Sequence, residues 1–363
     1  MKRIAIIGGG IFGVSCALEL SRLFNVTLFE TNSSLLSGAS LGNQNRFHFG
    51  YHYPRSPTTG IECLQAINDF DSAYGSALLS DFDNFYCVAK KESKTSASEY
   101  LEFCRKLSLP YSKALPPARF LRRDRISLCI RVPEPIFDVV RLRSIVNRRI
   151  ANSDSIIVRL DSRVVGARIT AMGKKSLKVK QHDGTSEQEF DYVVNASYSR
   201  LNELAEWLGA EQRNFIFETV EVPVIRLPSN RRIGLTIMDG DFCSILPFGG
   251  SRLTLLYHAA ESVLDHRISK MYPVSPCLET KSMQIIRAST RYMPILENSE
   301  LISSMVVVRV IDPSSESDDA RHSVIWKLGA GCWSIFSGKV VTAVTIAKRI
   351  SKLVQEEGGA PRH

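Results

Sequence analysis

The sequence predicts an α/β fold in two parts: a nucleotide-binding domain assembled from separated stretches of chain, and a second, β-rich domain built from the insertions. Three observations predict it. A strand, a glycine turn, a helix and a second strand open the chain; a glycine-rich turn returns at 329–338; and residues from about 213 to 310 alternate like strands. At 363 residues the chain is also too long for a single core of ordinary size.

The elements follow in order. Residues 3–7 read as a buried strand, 11–24 as a helix and 26–30 as a second strand, a βαβ unit. A polar loop leads to a helix over Thr58–Tyr74, then a strand at Phe85–Val88 and a helix near Ser98–Leu107. Asp138–Ala151 reads as helix, followed by strands at Ile156–Leu160, Arg163–Ile169, Leu177–Gln181 and Asp191–Asn195. Thr219–Leu227 and Arg252–His258 alternate as strands. Gly338–Val354 closes the chain as a helix, with Val340, Val344, Ala347 and Ile350 near one face. The expected division is 1–75, 137–205 and 322–363 for the nucleotide domain, and 76–136 and 206–321 for the substrate domain.

The chemistry starts at Gly8-Gly9-Gly10-Ile11-Phe12-Gly13. Gly8 permits the tight turn, Gly10 admits a pyrophosphate close to the backbone, and Gly13 lets helix and strand pack closely. Helix amides then face the phosphates, with Ile11 and Phe12 in the first turn. Glu30 ends the second strand 20 residues after Gly10, where a carboxylate accepts hydrogen bonds from ribose hydroxyls. The combination predicts a Rossmann-like dinucleotide site and disfavours a phosphorylated ribose. FAD and NAD both remain compatible with the motif itself.

Composition narrows the class. The hydrophobic fraction of 44% is that of a globular protein, and no apolar run approaches the ~20 residues that span a bilayer. Basic Met1-Lys2-Arg3 precedes only a short apolar stretch, which reads as strand and not as a secretion signal. Eight scattered cysteines without a C-x-x-C pair suggest reduced thiols and a cytoplasmic protein. Neither they nor the seven histidines show metal-ligand spacing, so no metal is expected. The charge of +9 gathers in arginines between 119 and 149. It suits an anionic partner or simply a solvated helix face; without interleaved aromatics, nucleic acid is not expected.

From Glu30 onward the sequence resembles the D-amino-acid oxidase superfamily of FAD-dependent oxidoreductases, which includes glycine and sarcosine oxidases and L-2-hydroxyglutarate oxidase. The resemblance is carried by Ala39-Ser40-Leu41-Gly42-Asn43-Gln44-Asn45-Arg46-Phe47-His48-Phe49-Gly50-Tyr51-His52-Tyr53-Pro54. It implies that Ser40, Asn43 and Gln44 contact FAD and that His48 and its neighbours face the flavin and the substrate. Ser162–Gly166 resembles the strand whose backbone, at Val164, meets the adenine. Asp191–Ser197 resembles the strand ending in Asn-Ala-Thr-Gly, which places Ala196 near the adenosine; here Ser197-Tyr198 replaces Thr-Gly. Gly329–Lys339 resembles the loop and helix start at the pyrimidine end of the flavin, implying contacts from Gly331, Trp333, Ser334, Ile335, Phe336, Ser337 and Gly338. This returning loop favours FAD over NAD. Attachment through Cys332 or a histidine occurs among relatives, but no spacing here requires it, so bound FAD is expected to be non-covalent.

Catalysis by such a cofactor asks the protein for position and charge. His48 and His52 are candidate bases or substrate ligands, because histidine accepts protons near neutrality; each could equally be structural. Tyr51 and Tyr53 could bind a carboxylate or fill the wall. Lys339 and the amides of 334–338 could stabilise charge on the reduced ring. Arg291, Arg46 and Arg55 are contenders for gripping a substrate carboxylate, with Arg291 first because Arg291-Tyr-Met-Pro resembles a family strand ending in Arg-Pro. Arg46 could instead neutralise the pyrophosphate. Arg321 reads as structural, and Asp239 and Asp241 could face an amino group.

The expected activity is oxidation of a small polar, carboxylate-bearing amine, amino acid or 2-hydroxy acid by hydride transfer to flavin N5. Oxygen or quinone would accept the electrons. The alternatives are a dehydrogenase passing electrons to quinone or a protein partner, and a non-oxidative flavin-binding component of a biosynthetic assembly.

Overall fold

A computed structural model describes residues 1–273, 278–315 and 318–358. Its first sheet has six strands in the order Val324–Gly329, Cys332–Phe336, Tyr192–Asn195, Arg3–Ile7, Asn25–Phe29 and Ile156–Arg159. The first is antiparallel to its neighbour and the other five run parallel. Burial on both faces explains the apolar runs in the central strands. Ile4 and Ile6 pack under the helices Ile11–Leu20, Pro57–Tyr74, Val139–Ala151 and Ala343–Gly358. Ala5, Phe29 and Val193 point the other way, onto Val164, Leu177 and Val179 of a three-stranded antiparallel sheet.

The helix predicted to reach residue 24 stops at Leu20, and the following residues turn tightly into the strand. The last helix is shifted towards the C-terminus, running over Ala343–Gly358 after a single 3-10 turn at Val340–Thr342. Asp138 caps its helix by accepting hydrogen bonds from the amides of Val140 and Arg141 at 2.9 and 3.2 Å.

The second sheet runs Val263–Ser269, Phe215–Arg226, Thr254–His258, Cys243–Pro247, Ile233–Met238, Asp83–Ala89, Ile126–Val132 and Ser112–Lys113, with Glu300–Ile311 along the free side of Phe215–Arg226. All pairings are antiparallel except Ile233–Met238 with Asp83–Ala89, which is parallel. The stretch from about 213 to 310, expected to alternate like strands, also holds a helix, Ser282–Thr290, whose Ile285 and Ile286 pack on the sheet. Its two consecutive isoleucines hide the helical period.

All seven described cysteines are free and buried; Cys277 lies outside the described residues. Several of the clustered arginines are held within the molecule: Arg143 donates to Leu35 O, Arg149 to Ala73 O, and Arg131 pairs with Asp83. Among the described residues no helix is long and apolar enough to cross a membrane.

Candidate active site

The two sheets face each other across a cleft of about 1300 Å³. At one end it is floored by the glycine turn. The Gly8 amide donates to Phe29 O at 2.8 Å, and its φ of +103° leaves an added Cβ 2.6 Å from Ala196 O. A Cβ on Gly13 would lie 1.8 Å from Gly8 O. Glycine is therefore obligatory where this helix crosses its strand. Glu30 reaches back into the turn, accepting the Gly9 amide at 2.7 Å and the Asn32 amide at 2.8 Å. Gly8, Ile11, Phe12, Glu30, Val164 and Ala196 all line the cleft; Gly13 is buried beneath the turn, and Gly10 is partly exposed beside it.

The segment 38–49 forms one long wall. Ser40 Oγ accepts the Ile11 amide at 3.0 Å and so ties the segment to the helix start. Asn43 donates to the carbonyls of Ala39 and Ser40 and accepts the Asn45 amide at 2.6 Å, which makes it a brace within the loop. Gln44 and Ser244 exchange hydrogen bonds at 2.9 and 3.3 Å, linking the wall to the second sheet. Ser40, Asn43, Gln44 and Arg46 line the cleft.

Further along stand His48 and His52, with ring centroids 5.7 Å apart. Both line the cleft, and the Nδ1 of each is buried without a partner. Burial, then the nearby cations Lys339 and Arg46, hold both imidazoles well below the ordinary histidine range. Tyr53 sits behind them, its hydroxyl 3.5 Å from His48 Nε2. Tyr51 turns away: its hydroxyl donates to Pro110 O and its ring packs among Tyr86, Tyr100 and Phe103. Neither tyrosine lines the cleft, so both belong to its support, contrary to a direct substrate role.

The C-terminal strand delivers Ile335, Ser337, Gly338 and Lys339 to the cleft. Gly331 is not among these residues, because it precedes this parallel strand and lies at the opposite end of the sheet from Gly8. Trp333 faces the helices, Ser334 Oγ accepts from Asn195 at 3.2 Å, and Phe336 stacks on Phe215 with ring centroids 5.4 Å apart. Ile335 and the stretch 337–340 line the cleft in place of the whole loop expected from the sequence. Lys339 is half-buried, and desolvation beside Arg321 lowers its pKa to about 8.

Arg291 is the clearest misplacement. It caps the helix Ser282–Thr290, is half exposed, pairs with Glu92 at 3.4 Å and lies off the cleft. The Met-Pro that follows continues into a 3-10 turn, Pro294–Asn298, instead of ending a strand. The arginines that do line the cleft are Arg46, Arg55, Arg163, Arg200, Arg309 and Arg321. Arg309, on the long edge strand, was not singled out by sequence. It meets Glu218 at 2.6 Å and stands 5.6 Å from the centroid of the Tyr257 ring. Its signal was an arginine in an otherwise apolar run, Met305-Val-Val-Val-Arg309-Val-Ile. Arg321 pairs with Asp319 at 2.6 Å, and Arg55 with Asp239 at 2.7 Å. Asp241 also borders the cleft.

Tyr198 stands where the resembled motif has glycine, and it keeps a glycine-like φ of +57°. Such a conformation costs roughly 1 kcal/mol in a non-glycine residue. The Tyr198 hydroxyl offsets it by accepting the Val310 amide at 3.0 Å.

The unpartnered buried atoms give the test of fit for a dinucleotide. Besides the two histidine nitrogens, Ser197 Oγ beside the glycine turn lacks a partner and lines the cleft. A phosphate-binding turn, a ribose-binding carboxylate and unsatisfied polar atoms along one continuous cleft fit FAD.

The comparisons agree. The family described as FAD dependent oxidoreductase matches residues 3–335. The chain is 23% identical to the FAD-dependent monooxygenase FPY4 of Fusarium mangiferae, covering 98% of this chain and 91% of that protein. Glycine oxidase from Geobacillus kaustophilus has a similar fold, with TM-score 0.75, 16% identity and coverage of 98% and 95% of the two chains. NikD, an amino acid oxidase essential for nikkomycin biosynthesis, superposes with TM-score 0.74 at 14% identity, covering 100% of this chain and 95% of its own.

Proposed function

Because the chain belongs to the FAD dependent oxidoreductase family, we propose that this FAD enzyme oxidises a small carboxylate-bearing amine, amino acid or 2-hydroxy acid. The observation that carries the reading is one cleft holding a dinucleotide cradle at one end and, farther along, His48, His52, Lys339 and Arg309.

The residues that would hold FAD are Gly8, Ile11 and Phe12 at the phosphates, Glu30 at the ribose, Ser197 and Val164 at the adenosine, and Ser337–Lys339 with the 40–48 wall at the ring. Bound there, FAD supplies the two-electron acceptor that no side chain provides.

The chain's own groups do the rest. Arg309 offers a planar guanidinium for a substrate carboxylate, the role first expected of Arg291. Glu218 fixes its orientation and Tyr257 backs it. His48 and His52 are neutral at ordinary pH, so each holds a basic nitrogen ready to receive the proton leaving a substrate N–H or O–H. Their closeness makes protonation of one oppose protonation of the other, and one proton per turnover suffices. Lys339, cationic below about pH 8, favours negative charge in the same region. The apolar strand residues Val220, Val222 and Met305 exclude water from the facing wall.

Oxygen is the proposed acceptor, on the names oxidase and monooxygenase among the similar proteins, with a dehydrogenase as the second reading because two proteins of similar fold carry that name. The test is anaerobic bleaching of the flavin absorbance against amino acids, amines, hydroxyacids and uncharged sugars. Bleaching by a carboxylate-bearing compound is expected; bleaching by uncharged compounds alone would overturn the substrate class. Admitting air to the reduced protein then reads the acceptor, with rapid peroxide formation expected and its absence pointing to quinone or a protein.

A further inference from the structure

Beneath the wall lies a buried ion pair that the roles above do not use. Glu134 is 1% exposed and Arg46 6%. The guanidinium donates to Tyr86 Oη at 2.6 Å, to Glu134 Oε1 at 3.3 Å and to Thr236 Oγ1 at 2.8 Å. The Tyr86 hydroxyl donates to Glu134 Oε1 at 2.6 Å, and Glu134 Oε2 accepts the Phe49 amide at 2.8 Å. Three stretches of the second domain therefore converge on one turn of the cleft wall.

Stability alone does not account for this arrangement. Desolvating two charges costs several kcal/mol per ion, and apolar residues of the same volume usually hold a core at least as well. Its placement does account for it. Arg46 lines the cleft, and its charge acts on both histidines.

We propose that Glu134 is a positioning residue: it holds the Arg46 guanidinium in the cleft wall and balances its charge, setting the field around the flavin and the histidine pair. The inference rests on the reading that the flavin ring lies against the 40–48 wall. With Glu134 ionised, the cleft faces a neutral pair. Without it, an uncompensated cation in a low-dielectric wall favours the more negatively charged, reduced flavin over the oxidised form.

The test is the midpoint potential of bound FAD in the wild type, E134Q, R46M and the double variant. Glutamine preserves shape but keeps only one of the two acceptor oxygens, so E134Q removes the charge and also one hydrogen-bond acceptor; the double variant, which carries the same amide without the cation, separates the two effects. E134Q should favour reduced over oxidised flavin about tenfold or more, about 30 mV upward for a two-electron couple. R46M should stay within about threefold of wild type, because an unpaired buried Glu134 takes up a proton and becomes neutral. The double variant should match R46M. An E134Q protein with wild-type potential and only a lower melting temperature overturns the inference. If E134Q does not fold, the double variant decides: a folded, FAD-loaded double supports charge balance, and an unfolded one overturns it. A wild type that takes up no FAD defeats the reading of the cleft itself, whereas a loaded wild type with an unmoved E134Q defeats only the role of Glu134.

Discussion

The Lys339 ammonium lies 5.0 Å from the centroid of the Tyr53 ring, over its π face. Tyr53 in turn reaches His48, so a cation, a buried aromatic ring and an imidazole form one stack bordering the cleft.

This stack sets a pH dependence. A base must be neutral to accept a proton, and burial beside Lys339 and Arg46 holds both imidazoles well below the ordinary histidine value of about 6.5. The acidic limb of kcat/KM should therefore fall below pH 6.5. Lys339 loses its charge as pH rises through about 8, which should produce a decline there. K339M should lower kcat/KM about tenfold or more at pH 7 and abolish the alkaline limb. An alkaline limb that survives K339M would remove Lys339 from this role.

The two arginines separate by kinetics. R309M should raise KM or lower kcat/KM by about a hundredfold, the loss of a bidentate charged contact. R291Q should leave both constants within about twofold, because its partner Glu92 is a surface pair. Steady-state rates with the substrate found by flavin bleaching decide between them.

Gly13→Ala should purify largely without flavin. The new methyl would sit 1.8 Å from Gly8 O, so helix and strand must separate where the cofactor binds. The ratio of flavin to protein absorbance should fall about tenfold, and a normal ratio would show that the turn can relax.

Asp138 joins the domains as well as capping a helix, because its second oxygen accepts the Gly250 amide at 2.9 Å. Asp138→Ala should lower unfolding free energy by about 1–2 kcal/mol in urea titration, the usual cost of a lost N-cap. Loss of the Gly250 contact should add to it, so a change below that range would show that water replaces both contacts.

The cofactor end of the site was legible because its constraints are local. A strand, three glycines and a carboxylate at fixed spacing admit few other arrangements, and Gly8 and Glu30 line the cleft together with Ser40, which the resemblance supplied. The substrate end was not, because its residues meet only after two sheets close. Arg309 and Glu218 are 91 positions apart and paired across strands, a register that no local pattern reveals. Glu134 did leave a trace: an acid between two prolines in Val132-Pro-Glu134-Pro-Ile136-Phe137 has no reason to be buried unless something awaits it. Arg291 misled because a short resemblance to Arg-Pro outweighed the helical setting around it.

The stitching of residues 44–49 into both domains has a consequence for how this scaffold can change. Gln44 is tied to Ser244, Arg46 to Thr236, the Phe47 amide to Pro135 O and the Phe49 amide to Glu134. A substitution in this stretch disturbs both halves of the molecule at once. Val220, Val222 and Met305, on the opposite wall, take no part in these ties, so exchanging their side chains disturbs the packing of one sheet and not both halves. Libraries seeking new substrate preference should therefore diversify that wall and leave the 44–49 stretch intact.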